Sequence, residues 1–250
     1  MHHVDRSAPV PLTSHSRNVT AMRTIGLLGG MSWESSALYY QLINEGVRDR
    51  AGGFHSARCL MSSVDFAVIE DMQKRGAWDE AGGLLAREAA GLESLGAECI
   101  VLCTNTMHKV GGAITAAISV PLLHIVDVTA DAIRAAGLTS VALLGTRFTM
   151  EEPFYADRMA GQGIDVLIPD AGGRRLVNQV IYDELVHGVI RDESRAAYRA
   201  IIAELVQRGA QGVILGCTEI ELLIGPQDIS VPSFPTTRLH AGAAVDFALS

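Results

Sequence analysis

Gly212-Val213-Ile214-Leu215-Gly216-Cys217-Thr218-Glu219 is the stretch from which the rest of the chain can be read. Its apolar run fits a buried strand, Gly-Cys-Thr-Glu breaks that strand, and Ile220 to Leu223 read as a short helix. A cysteine between the carboxyl end of a strand and the amino end of a helix meets backbone N–H groups that favour a thiolate. The pattern recurs in Ala97-Glu98-Cys99-Ile100-Val101-Leu102-Cys103-Thr104-Asn105-Thr106. With Val101-Leu102 laid on Ile214-Leu215, Cys103 falls on Gly216, Thr104 on Cys217 and Asn105 on Thr218. A threonine and a cysteine thus hold equivalent places in two similar halves.

Strands alternate with helices around both copies. Residues 24–30 read as a strand ending in a glycine turn, and 35–50 as a helix with Leu38, Leu42, Ile43 and Val47 at helical spacing. A strand over 57–64, an Ala-rich helix over 79–95, a strand over 98–102, a helix over about 107–117 and a short strand over 121–125 follow. The pattern restarts at Ser140-Val141-Ala142-Leu143-Leu144-Gly145-Thr146. After it come a strand over 165–168, helices near 178–186 and 193–208, the motif strand and Val231-Pro232-Ser233-Phe234. The interval from Gly29 to Thr104 nearly matches that from Gly145 to Cys217, as Thr104 to Pro121 does Cys217 to Pro232.

This order predicts an α/β fold of two pseudo-symmetric Rossmann-like lobes, each a short parallel sheet flanked by helices. The active site is expected in the cleft between them, because ligands of open α/β sheets bind at the strands' carboxyl ends. Residues 22–120 with 235–250 are expected to form one lobe and 121–234 the other. Residues 1–21 read as a disordered extension, with Met22 as an alternative start.

A net charge of −8 with no Lys/Arg-rich run argues against a nucleic-acid partner. No apolar stretch is long enough to span a membrane. Cys59, Cys99, Cys103 and Cys217 fit no zinc spacing, so no metal is expected, and reduced thiols in the cytoplasm are the default. Gly26-Leu27-Leu28-Gly29-Gly30 lacks the spacing of a dinucleotide loop and reads as a tight strand-to-helix turn. Cys59, Cys99 and Cys103 sit within strand-like runs and read as structural. Cys217 alone follows its strand among polar neighbours. Thr104 reads equally as a helix cap, and Asn105, Thr106 and Thr218 supply short hydrogen-bonding groups suited to a carboxylate.

Three motifs together carry a resemblance: Gly29-Gly30-Met31 with Trp33-Glu34-Ser35, Cys103-Thr104-Asn105-Thr106-Met107-His108, and Gly216-Cys217-Thr218-Glu219. From about Arg23 to its end the chain resembles the aspartate/glutamate racemase family, nearest the bacterial broad-specificity amino-acid racemase branch. The resemblance implies a homodimeric isomerase of small amino-acid substrates that needs no cofactor and no pyridoxal phosphate. Two side chains, usually both Cys, would flank the substrate Cα. Cys217 would be one, and Thr104 stands where the second Cys is usual. Met31, Asn105, Thr106 and Thr218 match positions around the α-carboxylate and amino group. Gln73 stands where strict aspartate racemases carry an Arg, and Val186 where they carry a Lys, which implies a looser preference for acidic side chains. His108 is expected either to support the motif or to cap its helix. Hydantoin racemases, maleate isomerases and arylmalonate decarboxylases share the fold, and a catalytically silent amino-acid-binding protein is the alternative of a different class.

Overall fold

The structure is a computed structural model, and it describes residues 22–250. The extension expected over residues 1–21 lies outside the described residues. In the first half the order is β1 (Ile25–Gly29), α1 (Trp33–Ala51), β2 (Cys59–Ser63), α2 (Phe66–Arg75), α3 (Trp78–Ser94) and β3 (Cys99–Leu102), then a 3-10 turn (Thr106–Val110), α4 (Gly111–Ala117), β4 (Leu122–Leu123) and α5 (Ile125–Ala135). The second half has β5 (Ser140–Gly145), α6 (Arg147–Glu151), α7 (Pro153–Ala160), β6 (Asp165–Leu167), α8 (Ala171–Asp183) and α9 (Asp192–Gln207). It ends with β7 (Val213–Gly216), α10 (Ile220–Leu223), β8 (Ser233–Pro235) and α11 (Thr236–Leu249).

Two four-stranded parallel sheets form, in the orders β2-β1-β3-β4 and β6-β5-β7-β8. The central strands β1, β3 and β7 are buried along their whole length, and β5 is buried from Val141 on. Their unbroken apolar runs are what strands covered by helices on both faces require. Corresponding backbone bonds repeat in the two sheets. Ile100 N–H donates to the Pro121 carbonyl at 2.9 Å and Val213 N–H to the Pro232 carbonyl at 2.9 Å. Glu98 N–H donates to Thr24 O at 2.8 Å and Gln211 N–H to Ser140 O at 2.9 Å. One separation in residue number relates Glu98 to Gln211, Ile100 to Val213 and Thr104 to Cys217, so the pseudo-repeat read in the sequence is a repeat of hydrogen bonds.

Each half sends its last helix across to the other. Ile125, Val126, Ala130 and Ile133 of α5 are buried in the core around β5 and β7. Ala241, Ala244 and Val245 of α11 are buried with Ile25 and Leu27 of β1 and with Tyr39, Ile43 and Val47 of α1. A Cβ at Gly46 would stand 2.9 Å from Val245 Cγ2, so the absence of a side chain there sets how closely α1 and α11 approach. The helices α5 and α11 also pack on each other. The sheets divide the chain slightly later than a boundary after residue 120 would, because β4 pairs with β3 (Ile100 opposite Leu122, Val101 opposite Leu123) and the crossing begins at His124.

Several helices differ from the sequence expectation. No element was expected over α2, α5, α6 or α7. The helix expected from about 107 is a 3-10 turn followed by the short α4, and α8 begins at Ala171 rather than near 178. Four of these starts carry a side-chain cap: Asp65 accepts from Ala67 N–H, His124 from Val126 N–H, Thr146 from Thr149 N–H and Asp170 from Gly173 N–H, while α7 opens on Pro153 without one. The glycine turn is as expected. Gly30 has φ +91°, its N–H donates to Ser36 Oγ at 2.8 Å, and a Cβ there would lie 2.1 Å from the Val64 carbonyl oxygen.

Candidate active site

The loops after β3 and β7 come from different lobes and meet at a cavity of ≈ 80 Å³. All seven site residues expected from the sequence line it: Met31 from the β1–α1 turn, Gln73 from α2, Thr104, Asn105 and Thr106 from one loop, Cys217 and Thr218 from the other. Ser35, Phe66, Thr146, Tyr182, Val186 and Glu219 complete much of the wall. Among the described residues there is no His/Cys/Asp/Glu cluster of metal-binding geometry. No helix among them is long and apolar enough to cross a membrane.

Cys217 departs from the sequence expectation in its protonation. Its thiol is half-buried and donates to Glu219 Oε2 at 2.8 Å. Burial raises its pKa well above the ordinary thiol value, and the Glu219 charge and hydrogen bond raise it further. The backbone N–H groups of Glu219 and Thr218 pull the other way and are outweighed. The expected helix amino end is only the four-residue α10, too short to develop a dipole that could overcome a carboxylate in contact. The resting side chain is a thiol whose proton lies on the line to a carboxylate.

Thr104 is half-buried, and its hydroxyl has no hydrogen-bond partner among the described residues. Its carbonyl accepts from His108 Nδ1–H at 2.7 Å, while His108 Nε2 accepts from Ile125 N–H at 3.2 Å. A carbonyl can only accept and a backbone N–H only donate, so these two bonds fix one neutral tautomer. Burial, then the neighbouring His124 and His240, hold the His108 pKa well below its usual value. His108 therefore ties the Thr104 loop to the start of α5, the helix that crosses lobes.

Hydroxyls and amides stitch the lobes together around the cavity. Thr218 Oγ1 lies 2.8 Å from Ser35 Oγ and 3.1 Å from Thr237 Oγ1. Thr106 Oγ1 lies 3.1 Å from Thr146 Oγ1. Each strand-end loop thus reaches the turn after the other lobe's first strand. Asn105 Nδ2 donates to Thr236 Oγ1 at 3.0 Å, and Thr236 Oγ1 donates to the Leu215 carbonyl. Asn105 Oδ1 is buried without a partner among the described residues, an acceptor lacking a donor. Gln73 is buried, with Nε2 3.1 Å from Met107 Sδ. At the cleft's flank, Lys109 of the first lobe pairs with Glu152 of the second at 2.9 Å and lies 3.9 Å from the Trp78 ring centre.

Sequence reasoning gave no role to Glu219, although it stands in the motif, two residues from Cys217 and within reach of its thiol. In the sequence Ser35 reads as a motif residue and the start of a helix, and Thr146 as part of a strand and turn, neither with a site role. The signal for Thr146 was its place after β5, equivalent to Gly30 after β1. Tyr182 lies within the helix expected near 178–186, but its residue type alone does not show that it faces the cavity.

The Asp/Glu/Hydantoin racemase family model matches residues 28–244. The chain is 27% identical over 172 residues to the broad specificity amino-acid racemase RacX of Bacillus subtilis, an alignment covering 69% of this chain and 74% of that protein. A crystal structure of a candidate Asp/Glu racemase from Yersinia pestis is similar with TM-score 0.88 at 51% identity, over 92% of this chain and 100% of that one. An aspartate racemase homologue from Pyrococcus horikoshii is similar with TM-score 0.82 at 30% identity, over the same shares. The chain belongs to the Asp/Glu/hydantoin racemase family.

Proposed function

We propose that this protein interconverts L- and D-amino acids, aspartate and glutamate or a broader set, by proton transfer at Cα without pyridoxal phosphate. The observation that carries the reading is the equivalence of Thr104 and Cys217 on opposite lobes at the wall of one cavity. Inversion needs a proton removed from one face and another delivered to the opposite face, and two related loops meeting at one cleft supply such a pair. Cys217 passes its proton to Glu219 and, as thiolate, takes the Cα proton of the L-enantiomer. The α-ammonium group of a bound amino acid favours that thiolate by its charge. The Thr104 hydroxyl, or a water it holds, gives a proton to the other face and is reprotonated from solvent, while Glu219 releases to solvent the proton it took from Cys217, so every group returns to its starting state.

The buried acceptor Asn105 Oδ1 suits the α-ammonium group, and the hydroxyls of Thr106 and Thr218 suit the α-carboxylate. Met31 supports the substrate by contact. Gln73 and Val186 present no charge where the side chain would end, which supports a broad substrate range. A homodimer in the cytoplasm belongs to the same reading. The dimer is supported by the exposed Trp33, Tyr40, Met61 and Val68 on β2 and its flanking helices, β2 being an edge strand.

The protonated state of Cys217 favours a second reading, an amino-acid-binding protein without turnover. Incubation with single L-amino acids in D₂O, followed by mass spectrometry and chiral chromatography, separates the two. Deuterium at Cα with D-product, abolished in Cys217→Ala, is expected of the enzyme; binding with no exchange for any common amino acid would establish the binder instead.

A further inference from the structure

A second groove of ≈ 500 Å³ shares two wall residues, Gln73 and Tyr182, with the cavity that holds Cys217. Its charge is unlike the rest of a chain of net charge −8. Four cations line it, Lys74, Arg147, Arg174 and Arg175, against two carboxylates. Lys74 is paired with Glu70 at 2.5 Å and Arg174 with Glu151 at 2.8 Å. Neither Arg147 nor Arg175 makes an ion pair among the described residues, while the groove's two carboxylates, Glu70 and Glu151, pair with Lys74 and Arg174.

The two come from different elements that are fixed to each other. Arg147 opens α6 directly after the cavity residue Thr146, and its backbone N–H donates to Asn178 Oδ1 of α8 at 2.7 Å. The same α8 carries Arg175 and Tyr182. The Arg147 guanidinium lies 5.3 Å from the Phe148 ring centre, held over an apolar wall. A single exposed cation is worth little. Two planar guanidinium groups lining one groove recognise a carboxylate or phosphate with geometry as well as charge.

We propose that this groove binds an anionic group at the far end of the substrate's side chain. The inference rests on the racemase reading and names a substrate class within it. That class is α-amino acids whose side chain, longer than that of glutamate, ends in a carboxylate or phosphate. The α-carbon sits between Thr104 and Cys217, the methylenes pass Gln73 and Tyr182, and the terminal anion meets Arg147 and Arg175. A free anion bound beside the substrate would use the same chemistry.

Calorimetry on the full chain tests this without depending on turnover. The ligands are L-2-aminopimelate, the uncharged-tail analogue L-2-aminoheptanoate, and inorganic phosphate, against wild type and Arg147→Gln/Arg175→Gln. Wild type is expected to bind aminopimelate at least tenfold more tightly than aminoheptanoate. The double variant should lose that advantage with its aminoheptanoate affinity unchanged, and phosphate should compete with aminopimelate alone. Equal wild-type affinities, or an advantage surviving in the double variant, would overturn the proposal. So would arginine-dependent phosphate binding that leaves aminopimelate affinity unchanged, which would assign the groove to a free anion. An arginine-dependent preference with no Cα deuterium exchange in any amino acid would sink the racemase reading and leave the anion groove standing.

Discussion

The Cys217 thiol donates to Glu219 Oε2 at 2.8 Å, so the candidate base and the carboxylate proposed to receive its proton stand two residues apart on one loop. That contact acts in two directions. Burial and the carboxylate together hold the thiol protonated at rest, and in the proposed reaction the carboxylate is also where the proton goes when a substrate arrives.

Glu219→Gln separates these effects. Removing the charge lowers the thiol pKa, so alkylation of Cys217 by iodoacetamide at a fixed mildly alkaline pH should become faster. Removing the proton acceptor should slow racemisation at neutral pH by roughly 10²-fold, the low end of what general acid–base catalysis contributes. The measurements are alkylation rate and kcat on the same preparation. A parallel fall in both would remove Glu219 from the titration of Cys217.

The three buried or half-buried histidines at the crossing helices give an acid-stability prediction. His124 and His240 are both pushed down to about 4, and His108 is held well below its usual value, in each case chiefly by burial. Their folded pKa values lie below the unfolded value, so the unfolded chain binds more protons as the pH falls. Their contribution is therefore intact above about pH 6.5 and is lost progressively from there down through the folded values. Each fully buried neutral histidine withdraws about 1.4 kcal/mol per pH unit in that window. Tm measured from pH 7.5 to 4.5 should fall steeply below 6.5, and His108→Asn should be less stable at pH 7.5 with a shallower fall. A slope unchanged by His108→Asn would mean other groups drive acid unfolding.

The architecture and most of the site were legible because their signals are local. Parallel strands buried on both faces read as short apolar runs, and the glycine turn and the Cys-Thr-Glu loop follow directly from residue type. The repeat was legible through spacing, as Pro121 and Pro232 accept corresponding bonds. What the sequence hid was non-local or weakly patterned. The helix α5 follows its strand with one residue between, so Ile125 and Val126 read as the strand's continuation. The protonation of Cys217 depends on balancing burial and Glu219 against two backbone N–H groups, a sum that residue order does not fix. The crossing of α5 and α11 needs the packing itself, because an apolar helix face does not name its partner.

Gln73 is buried and uncharged at the cavity wall, with Nε2 3.1 Å from Met107 Sδ. Gln73→Arg places a cation there with no carboxylate partner, so Tm without ligand should fall. A substrate's distal carboxylate would supply the partner, and a charge-assisted bond is worth roughly 1.5–3 kcal/mol. KM for aspartate should therefore drop at least tenfold, and aspartate should restore the lost Tm. A lowered Tm with no gain for aspartate over neutral amino acids would show that the side chain ends elsewhere.

In the proposed reaction Thr104 decides the symmetry of proton transfer. Racemisation has an equilibrium constant of one, so Thr104 alters rates and enantiomer preference but not the end point. Its hydroxyl, unpartnered among the described residues, is a far poorer base than a thiolate. With Cys217 taking the proton from the L-enantiomer, kcat should be higher from L to D than from D to L, and the Haldane relation then requires a correspondingly higher KM for the L-substrate. Thr104→Cys introduces a second thiol at the equivalent place of the other lobe. It should raise D-to-L kcat selectively and add a second alkylation site at the cavity. The His108 Nδ1–H to residue-104 carbonyl bond involves only the backbone of that residue, so the substitution leaves the loop's tether in place. The measurement is kcat and KM in both directions for wild type and Thr104→Cys, with alkylation mapped by mass spectrometry. Equal kcat in both directions for wild type, unchanged in a variant shown to carry a reactive second thiol, would reduce Thr104 to a loop residue with no part in proton transfer.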